Sequence, residues 1–215
     1  MKYAQVYALF LVFVFHSSCG QNKTDLPKEK IKSKTKNVST SGWTDTKYEY
    51  IDPVGKRLII QNGLPRGGLK YTDPNGKVYV YAIFWTRIIN ETANPFELTI
   101  DFPVDSFTLP SSPGRYFKIF LPSDSMTLEK EDLFNYGLPA LNSFLDQGLQ
   151  KASSLKRTVN PGESSGFYFV TLFNRGVDGA LRTGLSLKGQ DLFYRINGKE
   201  IRCGKINLKK LMLQK

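Results

Sequence analysis

The chain has 215 residues, 40% hydrophobic, 13% aromatic and 23% charged. That composition fits one globular domain with accessory segments; it is too apolar for a disordered chain and too polar for a protein with many membrane spans. Thirty basic residues against nineteen acids give +11, eighteen glycines and eleven prolines favour short strands, and two cysteines exclude a disulfide framework.

In chain order, Lys2 supplies a basic start and residues 6–15 form an unbroken apolar run of ten. A bilayer span needs about 20 residues, so this run matches the apolar stretch of an export signal instead. It ends in His16-Ser17-Ser18-Cys19-Gly20, small residues leading into a cysteine. In that arrangement the segment resembles a bacterial lipoprotein signal. The resemblance covers about the first 20 residues. It implies removal of residues 1–18, a diacylglycerol on Cys19, and a membrane as partner through that lipid. Gly20 after the cysteine, in place of aspartate, favours the outer membrane. With Cys19 lipidated, Cys203 has no disulfide partner and is expected to be a buried structural thiol.

Residues 20–42 hold six lysines, two acids and almost nothing apolar. They cannot bury surface, so 19–42 is expected to be a lipidated cysteine followed by a flexible basic tether. Once the signal is removed the chain carries +10, with +4 in the tether, +6 in residues 195–215 and a neutral body over 43–194. A neutral body argues against a nucleic-acid partner, which needs a basic face on the domain itself. Charge at the two ends suits an anionic lipid or polysaccharide surface, or keeps exposed ends soluble.

From Trp43 onward the punctuation is that of a β protein. Residues 50–56 and 71–77 share the pattern Y-x-D-P-x-G-K, with Asp, Pro and Gly where a type I turn wants them. Residues 78–89 are apolar on both faces, as in a central strand, and 167–173 read similarly. Residues 97–102 alternate, with Leu98, Ile100 and Phe102 on one face and Glu97, Thr99 and Asp101 on the other. Leu181, Thr183, Leu185 and Leu187 alternate likewise. Residues 193–202 predict a hairpin turning at Asn197-Gly198, with Arg195 opposite Glu200 as a cross-strand charge pair. Between them, acids at Glu129, Glu131 and Asp132, Pro139 in a first helical turn, and Leu141, Phe144, Leu145 and Leu149 at helical spacing predict a short helical insertion over about 128–149.

The chemistry open to such a chain is narrow. Its one histidine, His16, lies in the signal, so the mature chain can form no Ser-His-Asp or Cys-His pair and no histidine zinc site. Gly162-Glu-Ser164-Ser-Gly166 matches G-x-S-x-G, but a strand follows it where a nucleophile elbow needs a helix, so Ser164 is placed in a turn. Ser153 to Lys156 fits S-x-x-K without its companion motifs. Carboxylate-pair glycoside hydrolysis needs no histidine and leaves Glu97, Asp101, Glu163 and Asp191 as candidates. Asp73 and Asp178 offer oxygens for calcium, yet both are explained as turn residues. Exposed strand aromatics could stack on sugar rings. The candidate ligand platform is the strand face of Tyr79, Tyr81 and Trp85.

The sequence therefore predicts a signal over 1–18, a tether over 19–42 and one domain over 43–215. Asn90 to Pro95 before one alternating strand and Val159 to Glu163 before another are similar in style to immunoglobulin-type envelope domains, so the fold class is mainly β: a β-sandwich with the helical insertion, with a β-barrel as the alternative. No catalytic residue, metal or cofactor is assigned. The expected role is a non-catalytic binding or assembly component of the cell envelope, its partner a protein or polysaccharide. The alternative is a carbohydrate-binding module or a histidine-free glycosidase.

Overall fold

A computed structural model describes residues 34–35, 44–110 and 112–207. The signal, Cys19, most of the tether, Trp43 and residues 208–215 lie outside the described residues. In chain order the strands are β1 (Lys34–Thr35), β2 (Thr44–Ile51), β3 (Arg57–Gly63), β4 (Arg66–Thr72), β5 (Val78–Asn90), β6 (Phe96–Phe102), β7 (Phe107–Thr108) and β8 (Tyr116–Phe120). After the insertion come β9 (Ser153–Val159), β10 (Ser164–Phe173), β11 (Thr183–Lys188), β12 (Asp191–Ile196) and β13 (Lys199–Ile206). They make two antiparallel sheets, one ordered β1-β2-β3-β5-β10-β8-β7 with β4 also on β5, the other β11-β12-β13-β6-β9. The fold is thus mainly β, two curled antiparallel sheets that meet at their corners, an arrangement that fits a sandwich or a half-barrel.

β5 organises the larger sheet. β10 pairs along one of its edges, while the other edge is shared by β3 at Asn62↔Thr86 and β4 at Arg66↔Ile83. A strand flanked on both sides and covered on both faces must be apolar throughout, and residues 78–89 nearly are. The smaller sheet follows the alternation instead. Leu98, Ile100 and Phe102 point inward to meet Phe84 and Phe169, and Tyr194 stacks on Phe169 at 4.2 Å. The opposite face of that sheet carries paired charges, including Lys156 with Glu97 and Arg202 with Asp191.

Side chains close the corners where backbone pairing stops. Asn62 accepts the Leu185 N–H at 2.8 Å and donates to the Leu185 carbonyl at 3.1 Å, pairing with β11 as another strand would. Gly184 makes that approach possible, since a Cβ there would stand 3.3 Å from the Asn62 amide. The Tyr50 hydroxyl accepts from the Leu187 N–H at 2.7 Å, and at the other corner Ser153 Oγ accepts from the Leu121 N–H at 2.6 Å. At the end of β5, buried Asn90 donates to the carbonyls of Asn94 and Val159 and accepts from Thr92.

The two D-P-x-G-K turns have one geometry. Gly55 and Gly76 sit at φ +82° and +80°, and Asp52 and Asp73 each accept two backbone N–H bonds through Oδ1. The hairpin at Asn197-Gly198 has the expected register, Arg195↔Glu200. Its charges are partnered otherwise: Glu200 bonds Lys188 from β11, and Arg195 reaches the Tyr48 hydroxyl at 3.4 Å. Neighbouring strands on one face compete for the same carboxylate, and the hairpin sequence alone does not include them. Two further expectations shift. Lys34 and Thr35, within the tether, pair with β2, and Ser164 opens β10 opposite Ile89, one step past the turn.

The insertion is only partly helical. Leu128–Lys130 is a single 3₁₀ turn, Phe134–Gly137 is a tight turn through left-handed Asn135 and Tyr136, and α1 (Leu141–Gly148) is the only α-helix among the described residues. Pro139 falls before α1, because Ala140 is left-handed at φ +47° and separates them. The insertion lies on the outer face of the larger sheet.

Candidate functional site

That outer face is where the expected platform lies. Tyr79, Tyr81, Ile83 and Trp85 project from β5, with Tyr168, Val170 and Leu172 of β10 and Tyr71 of β4 beside them. Onto these the insertion lowers Met126, Tyr136, Leu138, Leu141, Leu145 and Leu149. The structure thus roofs the row read from the sequence: Trp85 is 1% exposed and Tyr81 6%. Only Tyr79 remains half-open, with Lys77 Nζ 5.1 Å from its ring centre. The aromatics are here because a second apolar layer needs a floor.

Hydroxyls latch the layer down. Tyr71 OH donates to Asp146 Oδ1 at 2.6 Å, Tyr136 OH to the Leu64 carbonyl at 2.7 Å, and Tyr168 OH to the Tyr136 carbonyl at 2.8 Å. Asn135 Nδ2 donates to Tyr81 OH at 3.2 Å, and Arg66 donates to the Leu133 carbonyl. Burial pushes the Tyr168 phenol up to about 12, with Asp124 adding to it. Burial, and then Asp146, raise Tyr71. The root of the layer is equally close, with the Met126 N–H donating to Gly166 O at 3.0 Å. A Cβ on Gly166 would fall 2.2 Å from the Met126 carbonyl oxygen.

This layer also carries strain. Asn135, Tyr136 and Ala140 are left-handed non-glycine residues at φ +51°, +54° and +47°. Asn135 Oδ1 and Trp85 Nε1 are buried without hydrogen-bond partners. Left-handed residues of this kind cost about 1–3 kcal/mol each. Each fully buried apolar side chain returns about 1.5–3 kcal/mol, and six are set into this interface. The insertion covers the aromatic face, which is therefore core.

What the insertion leaves outside is different in kind. Leu128, Leu133 and Phe134 are 55%, 52% and 73% exposed, grouped within seven residues. Around them, residues 121–150 hold five acids and one base, Lys130, which bonds the Ser125 carbonyl and lies 5.9 Å from the Tyr168 ring centre. Glu131 is buried, and among the described residues its carboxylate makes no hydrogen bond or ion pair. Burial raises it, against the lowering pull of Arg87. Arg87 is held back on β3, its Nε donating to Gln61 Oε1 at 2.9 Å, and burial lowers it. The tip is thus an apolar group in an acidic stretch of chain, tied to β4 through Arg66. Its sequence signal was present: three large apolar residues set among acids, off the helical spacing of Leu141, Leu145 and Leu149.

The remaining candidates have ordinary partners. Glu163 bonds Asn160, Asp178 pairs with Arg115 at 2.6 Å, Asp73 is tied into its turn, and Asp101 stands exposed on β6. Cys203 is buried, its thiol pushed up to about 12 by burial. A hollow of about 50 Å³ beside Pro95, Phe96 and Asn207 has room for a water, against the 300–1,000 Å³ usual for small-molecule sites. Among the described residues no three metal-ligating side chains converge, and no helix is long and apolar enough to cross a membrane. No protein-family model, curated protein or solved structure matches the chain.

Proposed function

We propose that this chain is a lipid-anchored protein of the cell envelope whose sandwich works as a non-catalytic binding or assembly component, with the tip of the insertion as its contact surface. The observation that carries the reading is Phe134, 73% exposed beside Leu128 and Leu133 on a segment latched to the sheet. A rigid aromatic anchor loses little freedom on binding, and such residues dominate interface energetics. The acids around it select a partner that is apolar and basic. Anchorage rests on Cys19, which places the domain at a membrane by way of the basic tether. A sugar-binding role draws no support from the closed aromatic row.

Two measurements test this. Cys19→Ala moves the protein from the membrane to the soluble fraction; a variant that stays membrane-bound refutes lipid anchorage. Phe134→Asp leaves the fold intact, because the side chain touches solvent, and abolishes photo-crosslinking to an envelope protein from a probe at position 128 or 133. Undiminished crosslinking in that variant would move the contact surface elsewhere.

A further inference from the structure

One stretch of the insertion lies on the sheet without an apolar anchor. Between Met126 and Tyr136, both buried, the only buried side chains are Glu131 and Asn135. Leu128, Leu133 and Phe134 of the same stretch are all exposed. Its ends are fixed. At one the Met126 N–H donates to Gly166 O, and at the other the Tyr136 hydroxyl donates to the Leu64 carbonyl. Left-handed Asn135 and Tyr136 bend the chain at that second end. Residues 127–135 thus form a flap that carries the whole tip and is seated by a carboxylate and an amide.

Burial of an apolar side chain is indifferent to pH, and burial of a carboxyl group is not. Glu131 is 9% exposed, and among the described residues its side chain has no hydrogen bond or ion pair. The charged groups around it do not make good that loss of water. Arg87 of β5, the cation that acts on it, is drawn aside to Gln61 Oε1. Arg66 of β4 donates to the Leu133 carbonyl and lies 4.6 Å from the Tyr136 ring centre, and Lys130 turns back to the Ser125 carbonyl. Asp132, next in the chain, opposes a charge on Glu131, and the nearby Tyr136 phenol is itself raised by burial. An ionised carboxylate kept from water without a partner is costly. Burial outweighs the pull of Arg87, so the Glu131 carboxyl lies above its ordinary range.

We infer that residues 127–135 are a pH-set flap: with a proton on Glu131 it lies closed on the sheet, and with Glu131 ionised it lifts, because lifting returns the charge to water. The inference rests on the tip being the contact surface and adds its regulation. A tip held in one geometry loses less freedom when a partner binds, so the contact is tighter at acidic pH. The rest of the insertion stays in place at either pH, since Leu138, Leu141, Leu145 and Leu149 are anchored by apolar burial.

Amide hydrogen exchange on the full chain tests the flap. Protection factors, which divide out the intrinsic pH dependence of exchange, are read at the hydrogen-bonded amides of Lys130, Glu131, Leu133 and Tyr136. From about pH 4.5, near the ordinary glutamate value, to about pH 8 they fall about fivefold, equivalent to about 1 kcal/mol, while β6 and β12 keep theirs. Glu131→Gln, which keeps the shape and removes the charge, holds protection at its acid-side value throughout, and Asp132→Asn leaves the fall in place. A flat profile in the unchanged chain overturns the inference, and so does an equal fall in Glu131→Gln. A rise with pH overturns it too, since Arg87 would then seat the flap through the charge. No partner enters this measurement, so its failure leaves the contact surface standing. The fall with pH in a chain whose tip crosslinks to no protein in cells supports the flap and overturns the partner contact.

Discussion

The larger sheet is buried on both faces, and the two faces are closed by different means. Inside, strands cover strands: Phe84 and Phe169 meet Leu98, Phe102 and Tyr194, in unstrained backbone, with Asn62 and Tyr50 pairing the edge of β11. Outside, one short helix and two single turns cover the same strands, held by tyrosine hydroxyls, with three left-handed non-glycine residues; each face leaves two buried polar atoms without partners, Tyr194 OH and Thr171 Oγ1 within and Trp85 Nε1 and Asn135 Oδ1 without. A sheet can cover another by repeating one pitch. A broken helical segment must bend to follow a twisted aromatic floor, and its bends are where the backbone departs from favoured angles.

The largest expected effect removes both faces at once. Tyr50, on the inner face, and Tyr168, on the outer, are pushed up to about 12 by burial, as is the Cys203 thiol. In the unfolded chain tyrosine releases its proton near 10 and cysteine near 8.5. These groups therefore lend stability that is complete below their unfolded values and is lost as pH rises through their folded ones. Denaturant midpoints fall from about pH 9 upward, most steeply between about 10 and 12. A midpoint flat to pH 12 would show that these phenols and the thiol titrate as if exposed.

Single substitutions then separate the faces. Phe169→Ala costs about 3–5 kcal/mol and lowers amide protection over the whole domain. Leu145→Ala, about 2–5 kcal/mol by the same measure, acts through the insertion, so exchange rises at 123–149 while β6 and β12 keep their protection. Uniform loss in both variants would make the two faces one cooperative unit.

Gly166→Ala, whose Cβ meets the Met126 carbonyl oxygen, forces the root of the insertion off the sheet at about 1–3 kcal/mol. Trp85 emission should shift to the red as water reaches the face beneath; an unshifted spectrum in a destabilised variant would place the damage in β10 instead.

The smallest effect has the opposite sign. Burial raises the Glu131 carboxyl, so its contribution is fullest below the ordinary carboxylate range and becomes a cost as pH rises through its folded value. Glu131→Gln stabilises the protein at pH 7 by at most about 1 kcal/mol, and the advantage disappears near pH 3. A loss at pH 7 would mean that Arg87 depends on that charge.

Much of this was legible without coordinates. Period-two alternation in 97–102 and 183–187 identified inward residues, because a strand wet on one face has no other pattern. Asp, Pro and Gly specified the two matched turns, and Asn197-Gly198 specified a hairpin and its register, because few residues tolerate those backbone angles. The two-sided apolar run at 78–89 announced that both faces of β5 are covered. It did not say by what, and that gap turned an interior floor into an apparent platform at Tyr79, Tyr81 and Trp85. Whether an aromatic strand face meets ligand or protein depends on which distant segment lies across it, and no local pattern encodes that. The partner of Glu200, the breaks in the insertion and the exposure of Phe134 were likewise decided by tertiary packing. A long side chain chooses among neighbours from several strands, a helix bends to its floor, and an apolar residue is left outside only where the layer beneath is already full.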